Sequence, residues 1–264
     1  MTPQRTLAAG RAKEEGGRSA EPELSFDIAR SLCDVTEAWK LLYEAYLRAG
    51  FIQENPYGLH TVPEAIGSHV LVVVGRSDDR VVSTISAIGD NPRGLPLDSV
   101  YPDELSRLRA EGRRLVEIGL FGDRRDLMGE TSRTFHAILE LMRYTYHFGY
   151  YLDATDCLCG IPPRRSRLYY RMFGFQPIGE VKSYATVEGN PVVLLHLTAE
   201  YAREHYAKHR ALVHFAEHPI PDEIFKDRFR FSESDLAGSQ LEGYLKAKSA
   251  GGPARAEMDS SCMP

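Results

Sequence analysis

Two stretches decide the fold: Arg113-Arg114-Leu115-Val116-Glu117-Ile118-Gly119-Leu120-Phe121 and Ser166-Arg167-Leu168-Tyr169-Tyr170-Arg171-Met172-Phe173-Gly174-Phe175. The first is an apolar, partly β-branched run carrying one carboxylate, and it reads as a buried strand. The second reads as a short helix that ends in Gly174-Phe175, with a tyrosine four residues before that glycine. Between them, residues 132–148 place Phe135, Ile138, Leu139, Met142 and Tyr146 at helical spacing, with Gly149 at the end. Residues 151–159 then read as a strand, so the centre of the chain is a strand–helix–strand unit followed by a further helix, residues 165–173.

Working outward, residues 24–30 alternate apolar and polar like a strand. A helix is expected from Asp34, three residues before Glu37 in capping-box spacing. Its Val35, Ala38, Trp39, Leu42, Tyr43 and Tyr46 share one face, and Gly50 closes it. Residues 69–75 and 80–88 form a hairpin across Arg76-Ser77-Asp78-Asp79, and residues 102–111 a short helix. A second hairpin pairs residues 184–187 with 191–197 across Glu188-Gly189-Asn190, and a helix follows over 199–211. The expected class is α/β (α+β): a mixed, mostly antiparallel sheet with a central β-α-β unit and flanking helices. The polar, small-residue ends read as a disordered arm (1–23) and tail (249–264), framing a domain at 24–211 and a C-terminal extension at 212–248.

Composition narrows the function classes. The 264 residues are 43% hydrophobic and 26% charged, ordinary for a globular protein with a sizeable core. A net charge of -5 argues against general nucleic-acid affinity. The cysteines Cys33, Cys157, Cys159 and Cys262 lack disulfide-framework spacing. There is no signal-peptide pattern, and no apolar run approaches the ~18–20 residues of a membrane span, so a reducing cytoplasm is expected.

Residues 25–205 or so resemble the long-chain N-acyl amino acid synthases, relatives of the acyl-homoserine-lactone synthases within the GNAT acyltransferase superfamily. Four stretches carry the resemblance: residues 41–46 before Gly50-Phe51-Ile52, residues 94–102 (Gly-Leu-Pro-Leu-Asp-Ser-Val-Tyr-Pro), residues 111–121, and residues 164–175. The resemblance implies a GNAT-like fold and transfer of a fatty acyl group from an acyl carrier protein to the amine of an amino acid. It also implies no tightly bound cofactor, only the phosphopantetheine thioester as co-substrate, with acyl-CoA a possible donor.

Acyl transfer to an amine needs a proton acceptor, a stabilised oxyanion and a proton for the leaving thiolate. Glu117 is the candidate base, because an apolar strand raises a carboxyl pKa. The resemblance supports it: lactone synthases carry a Glu at the same spacing from a Phe, here Phe121. They show Ser and Arg where this chain has Gly119 and Leu120, which disfavours lactone synthesis. The competing reading pairs Glu117 with Arg113, Arg114 or another arginine. Tyr170 matches the tyrosine that many GNAT enzymes aim at the thioester sulfur, although packing on the sheet would explain Tyr169 or Tyr170 equally well.

Acetyl-CoA enzymes of this fold cradle a diphosphate in a glycine-rich loop before the long helix. Residues 122–132 hold Gly129 but not that pattern, and they carry three acids. A carrier-protein donor fits better, and Arg164, Arg165, Arg167 and Arg171 could receive its acidic surface, with an ordinary solvated face as the alternative. Phe121 joins the candidate substrate-binding residues, and Phe135, Leu139, Met142 and Phe173 could line an acyl tunnel or simply form core. His205 with His209, and His214 with His218, are spaced by four but complete no zinc motif, and Cys157-Leu158-Cys159 lacks a metal or redox spacer. Two other readings stay open: a GNAT enzyme using acyl-CoA and another amine, and a non-catalytic acyl-binding protein.

Overall fold

Ser31 opens the first helix, α1 (Leu32–Arg48): its hydroxyl accepts from the Asp34 N–H, and Asp34 caps the Ser31 N–H in return. The capping box therefore sits one turn earlier than the Asp34–Glu37 spacing suggests, because Asp34 is its third residue rather than its cap. The structure, a computed structural model, describes residues 23–124, 131–231 and 233–249. The expected arm and tail, and most of the loop at 122–132, lie outside the described residues.

The strands are β1 (Leu24–Ile28), β2 (Val70–Ser77), β3 (Arg80–Gly89), β4 (Leu115–Asp123), β5 (Asp156–Ile161), β6 (Gln176–Pro177), β7 (Lys182–Tyr184) and β8 (Asn190–Thr198). They form one sheet in the order β1-β2-β3-β4-β5-β8-β6, with β7 also on β8. Every pairing is antiparallel except β4 with β5, joined by the long helix α3 (Thr131–Tyr151). The expected mixed sheet with its central β-α-β unit is seen here. Asp78 and Asp79, both at positive φ, make the tight turn between β2 and β3.

The β4–β5 pairing positions the site. The two strands pair only from Leu115 to Glu117 against Asp156 to Leu158. Beyond Glu117, β4 stays with β3 as far as Asp123 opposite Ser83, and β5 stays with β8 as far as Ile161 opposite Val193. A wedge opens between them. At its apex β4 bulges: Ser86 faces Gly119 and Thr84 faces Gly122, so β4 carries one extra residue there. Leu120 takes φ 50, a strained conformation for a branched side chain and unlike the turn residues Asp78, Asp79, Asp153 and Glu188 that share it.

Two layers cover the sheet. On one face α1 and α2 (Pro102–Ala110) bury Trp39, Leu42, Leu105 and Leu115; on the other, α3 buries Met142 and Phe148 against Val116 and Ile118. Strand alternation therefore sends Leu115 and Glu117 toward α1, and Val116 and Ile118 toward α3.

Several sequence boundaries are corrected. Gly149 does not end α3, which runs on to Tyr151; Asp153, at φ 52, makes the turn that follows, so β5 begins only at Asp156. Residues 163–173 are not one regular helix but a 3₁₀ turn (Pro163–Arg165), a single α-turn (Ser166–Leu168) and a π-turn (Tyr169–Phe173) closed by Gly174 at φ 77. A π-turn inside a helix adds one residue per turn, which 3.6-residue periodicity cannot register. Residues 185–187 are 3₁₀ rather than strand, and the next helix, α4 (Ala199–Lys208), stops three residues short of Ala211.

The C-terminal extension is ordered against both layers. The helices α5 (Val213–Glu217) and α6 (Asp222–Lys226) bury Phe215 and Phe225 on the α3 side. Arg228 then bonds the Ser68, Val70 and Phe225 carbonyls, and Phe229 N–H donates to Ala29. The chain crosses to the α1 side, where Phe231 stacks on Trp39, and α7 (Glu233–Leu236) and α8 (Gln240–Ser249) add Leu236, Leu241 and Tyr244 to that core.

Candidate active site

Glu117 sits at the apex of the wedge, 7% exposed. The arginines that could have paired with it are engaged elsewhere. Arg113 binds Asp156 (Nε–Oδ2, 2.9 Å), and Arg114 donates to the Asp153 carbonyl. Among the described residues Glu117 has no ion-pair partner; its Oε2 accepts one hydrogen bond, from the Leu97 N–H at 3.0 Å. Burial pushes its pKa up to about 8; the Leu97 bond opposes the rise, and the Glu64 and Asp98 charges add to it.

That hydrogen bond is held by a built loop. The Asp98 carboxylate accepts from the Leu95 N–H at 2.7 Å and from Arg109, which also clamps Asp90. Burial alone would raise the Asp98 pKa, but Arg109 and Leu95 hold it below the ordinary carboxylate value. The buried Tyr101 hydroxyl ties the same loop to the Glu180 and Val192 carbonyls. Residues 94–102 thus present one backbone donor to Glu117, and Gly160 leaves room for Leu97, whose Cδ2 would lie 2.7 Å from any Cβ there.

Three cavities with shared walls lie along the wedge, and Glu117 borders the first. One, of about 90 Å³, is walled by Glu117, Tyr46, His60, Leu97, Tyr184 and Val192 among others. It shares Tyr46, Phe51, Gly119, Leu120, Gly160 and Pro162 with a cavity of about 510 Å³ filling the wedge. That in turn shares Ile85, Phe121, Arg165 and Tyr169 with a third, of about 320 Å³, that runs from Ile138 and Met142 to Arg164, Arg167 and Leu168 at the surface. The path is lined mainly by apolar and aromatic side chains, with the arginines at its outer end.

The expected site residues fall into two groups. Glu117, Phe121, Arg164, Arg165 and Arg167 all border this path. Phe173 does not: it is fully buried in the core, against Tyr169, because the π-turn rotates it under the sheet-facing side. Phe135 packs against the same core and borders none of the three cavities. Tyr170 likewise lies outside them, packed against the α3-side core, whereas its neighbour Tyr169 borders two. Burial pushes the Tyr169 phenol well up, so it stays protonated. Tyr46, His60 and Tyr184 carry no local sequence signal as site residues: Tyr46 belongs to the apolar face of α1, and nothing local marks His60.

The remaining constellations are structural. His205 bonds the Met172 carbonyl, and His214 sits 3.4 Å from Glu140; among the described residues no three His, Cys, Asp or Glu side chains gather as a metal site. Burial pushes both the Cys157 and Cys159 thiols up, away from nucleophilic reactivity. Among the described residues no helix is long and apolar enough to cross a membrane.

Comparison with known proteins agrees with this fold. The structure of FeeM, an N-acyl amino acid synthase from uncultured soil microbes, superposes with a TM-score of 0.62 at 24% identity, over 71% of this chain and 96% of that one. A CoA-dependent acyl-homoserine lactone synthase, BjaI, solved with SAM and isopentyl-CoA, gives a TM-score of 0.50 at 12% identity, over 77% of this chain and 99% of the other. No curated protein matches the chain in sequence. The sequence model of the N-acyl amino acid synthase FeeM matches residues 37–198. The chain therefore belongs to the FeeM family of N-acyl amino acid synthases and is an acyltransferase.

Proposed function

We propose that the protein moves a long-chain acyl group from the phosphopantetheine thioester of an acyl carrier protein to the amino group of an amino acid, with Glu117 as general base. The observation that carries this reading is a buried carboxyl, without an ion-pair partner among the described residues, at the apex of a strand wedge, where burial pushes its pKa up to about 8. Glu117 takes a proton from the acceptor nitrogen as that nitrogen attacks the thioester carbonyl. The carbon–sulfur bond then breaks, and the thiolate takes up a proton. Tyr169, which borders the wedge with a protonated phenol, is better placed than Tyr170 to supply it.

The outer end of the path supports a carrier-protein donor. Arg164, Arg165, Arg167 and Arg171 have no acidic partner among the described residues, and Leu168, 39% exposed, lies among them. A cationic ring around an apolar contact suits an acidic partner. Acyl-CoA is the second reading, favoured by the CoA dependence of the lactone synthase that shares the fold. Incubating the protein with palmitoyl carrier protein or palmitoyl-CoA and a mixture of the proteinogenic amino acids, then searching for N-acyl amino acids by mass spectrometry, tests both. Product from the carrier thioester at a higher kcat/KM than from CoA is the expected result; a CoA preference moves the donor assignment, and no product from either removes the reading.

A further inference from the structure

His60 is only 2% exposed, borders the same cavity as Glu117, and has an Nε2 with no hydrogen-bond partner among the described residues. A buried polar atom without a partner is rare enough to require a reason. The imidazole is not loose: the protein grips the backbone around it and leaves the ring alone. His60 N–H donates to the Trp39 carbonyl, Asn55 bonds the Leu59 carbonyl, and the Tyr244 hydroxyl meets both the N–H and the carbonyl of Thr61. The ring lies against Tyr46, centroids 4.7 Å apart. Burial, helped by the nearby Lys248 charge, lowers the pKa of His60 to about 3, so the imidazole is neutral.

The rest of the cavity fixes what could reach that ring. Its other walls mix apolar side chains, among them Phe51, Val62, Leu97 and Val192, with Tyr46, Tyr184, Thr186 and Asn190, and Glu117 is the sole charged residue lining it. Arg165, free of acidic partners among the described residues, borders the adjoining wedge rather than this cavity. In the proposed reaction, an amino acid whose amine meets Glu117 and whose carboxylate turns toward Arg165 would extend its side chain along the remaining walls of this cavity, His60 among them.

Resting on the function proposed above, we propose that His60 is a specificity-determining residue that reads an uncharged hydrogen-bonding group on the acceptor side chain. The substrate class is then amino acids bearing a hydroxyl, phenol or amide, preferred over isosteres that lack it. A site built to bond a polar group rejects the analogue without it, because its own polar atom is then left unpaired.

The test is steady-state kinetics with palmitoyl carrier protein saturating and the acceptor varied across threonine against valine, tyrosine against phenylalanine, and glutamine against leucine. In the wild type at least one polar member should exceed its isostere by about tenfold in kcat/KM. His60→Phe keeps the ring contact with Tyr46 but removes the nitrogens; it should erase that preference, leave the donor KM unchanged and leave Tm equal or higher. His60→Gln should restore part of the preference. A preference within twofold of wild type in His60→Phe overturns the inference while the reaction stands. So does a His60→Phe change in donor chain-length preference instead, because the cavity then holds the acyl tail. A wild type that forms no N-acyl amino acid overturns the reaction itself, and the inference with it.

Discussion

Two buried carboxylates stand on neighbouring strands, and their surroundings could hardly differ more. Asp156, first residue of β5 and 1% exposed, is bonded by Arg113 at 2.9 Å, His196 at 2.5 Å and Thr155 at 2.5 Å. Glu117, on β4 and 7% exposed, has one backbone N–H. Burial pushes both pKa values up, but for Asp156 the His196 and Thr155 bonds and the Arg113 charge reverse the direction and hold it below the ordinary range. For Glu117 nothing does, and its pKa stays raised at about 8. Asp156 is a fastener joining β5 to β8 and to the start of β4. Glu117 is a group held at a cost, and a carboxyl with few partners is one that can exchange a proton. Equal burial thus serves opposite ends, and the count of partners decides which.

The comparison breaks most visibly by exchange of oxygen for nitrogen. Glu117→Gln keeps an acceptor for the Leu97 N–H, so the fold should persist while turnover falls by about 10²–10⁴-fold. Its stability should change with a definite sign. The folded protein holds a proton on Glu117 up to about pH 8, whereas the unfolded chain releases it near 4.5, so folding stability from this group is full below pH 4.5 and is lost as pH rises toward 8. Thermal melts should therefore show Glu117→Gln more stable than wild type at pH 8 and equal to it at pH 4.5. A variant less stable at pH 8 would mean that Glu117, too, is a fastener.

Asp156→Ala should do the reverse. It leaves His196 and Arg113 without their shared anion and should cost about 2–3 kcal/mol in denaturant unfolding, allowing for the partial exposure of Arg113. The kcat/KM of the folded enzyme should stay within a few-fold of wild type. Since the Asp156 pKa is depressed, its contribution exists above the ordinary carboxylate range and fades as pH falls through the lowered value, so wild type and variant should converge in acid. A turnover loss matching that of Glu117→Gln would place Asp156 in the chemistry.

Smaller effects sharpen the outer path. Charge reversal of Arg164 and Arg167 to Glu should raise KM for an acyl carrier protein by about tenfold at low salt, less at high salt, with kcat unchanged. Smallest of all, Tyr169→Phe should slow turnover a few-fold and more than Tyr170→Phe does, measured in single-turnover mixing. Equal or reversed effects would return the acid role to Tyr170.

Much of this was legible in the chain because local patterns carried it. Strand periodicity placed Glu117 inward, the hairpin turn was written in Asp78-Asp79, and the isolated carboxylate among Leu115, Val116 and Ile118 singled out Glu117 as the candidate base, which the structure buries where β4 and β5 part. What was hidden has physical reasons. The π-turn at Tyr169–Phe173 shifts facing by one residue, so a count back from Gly174 picked Tyr170 where Tyr169 borders the wedge, and it sent Phe173 into the core. The capping box moved because Ser31 and Asp34 have the same spacing as Asp34 and Glu37, and sequence does not rank two such pairs. His60 lies on a loop fixed by contacts 183 residues away, through Tyr244, which no local pattern encodes.

The most direct measurement is the pH dependence of the single-turnover acyl-transfer rate in wild type and Glu117→Gln, using palmitoyl carrier protein and the best acceptor. The account predicts a wild-type rate that rises about tenfold per pH unit in acid and breaks near pH 8, and a variant slower throughout that lacks this break. A variant as fast as wild type, or one that keeps the same break, would contradict the assignment of Glu117 as the base.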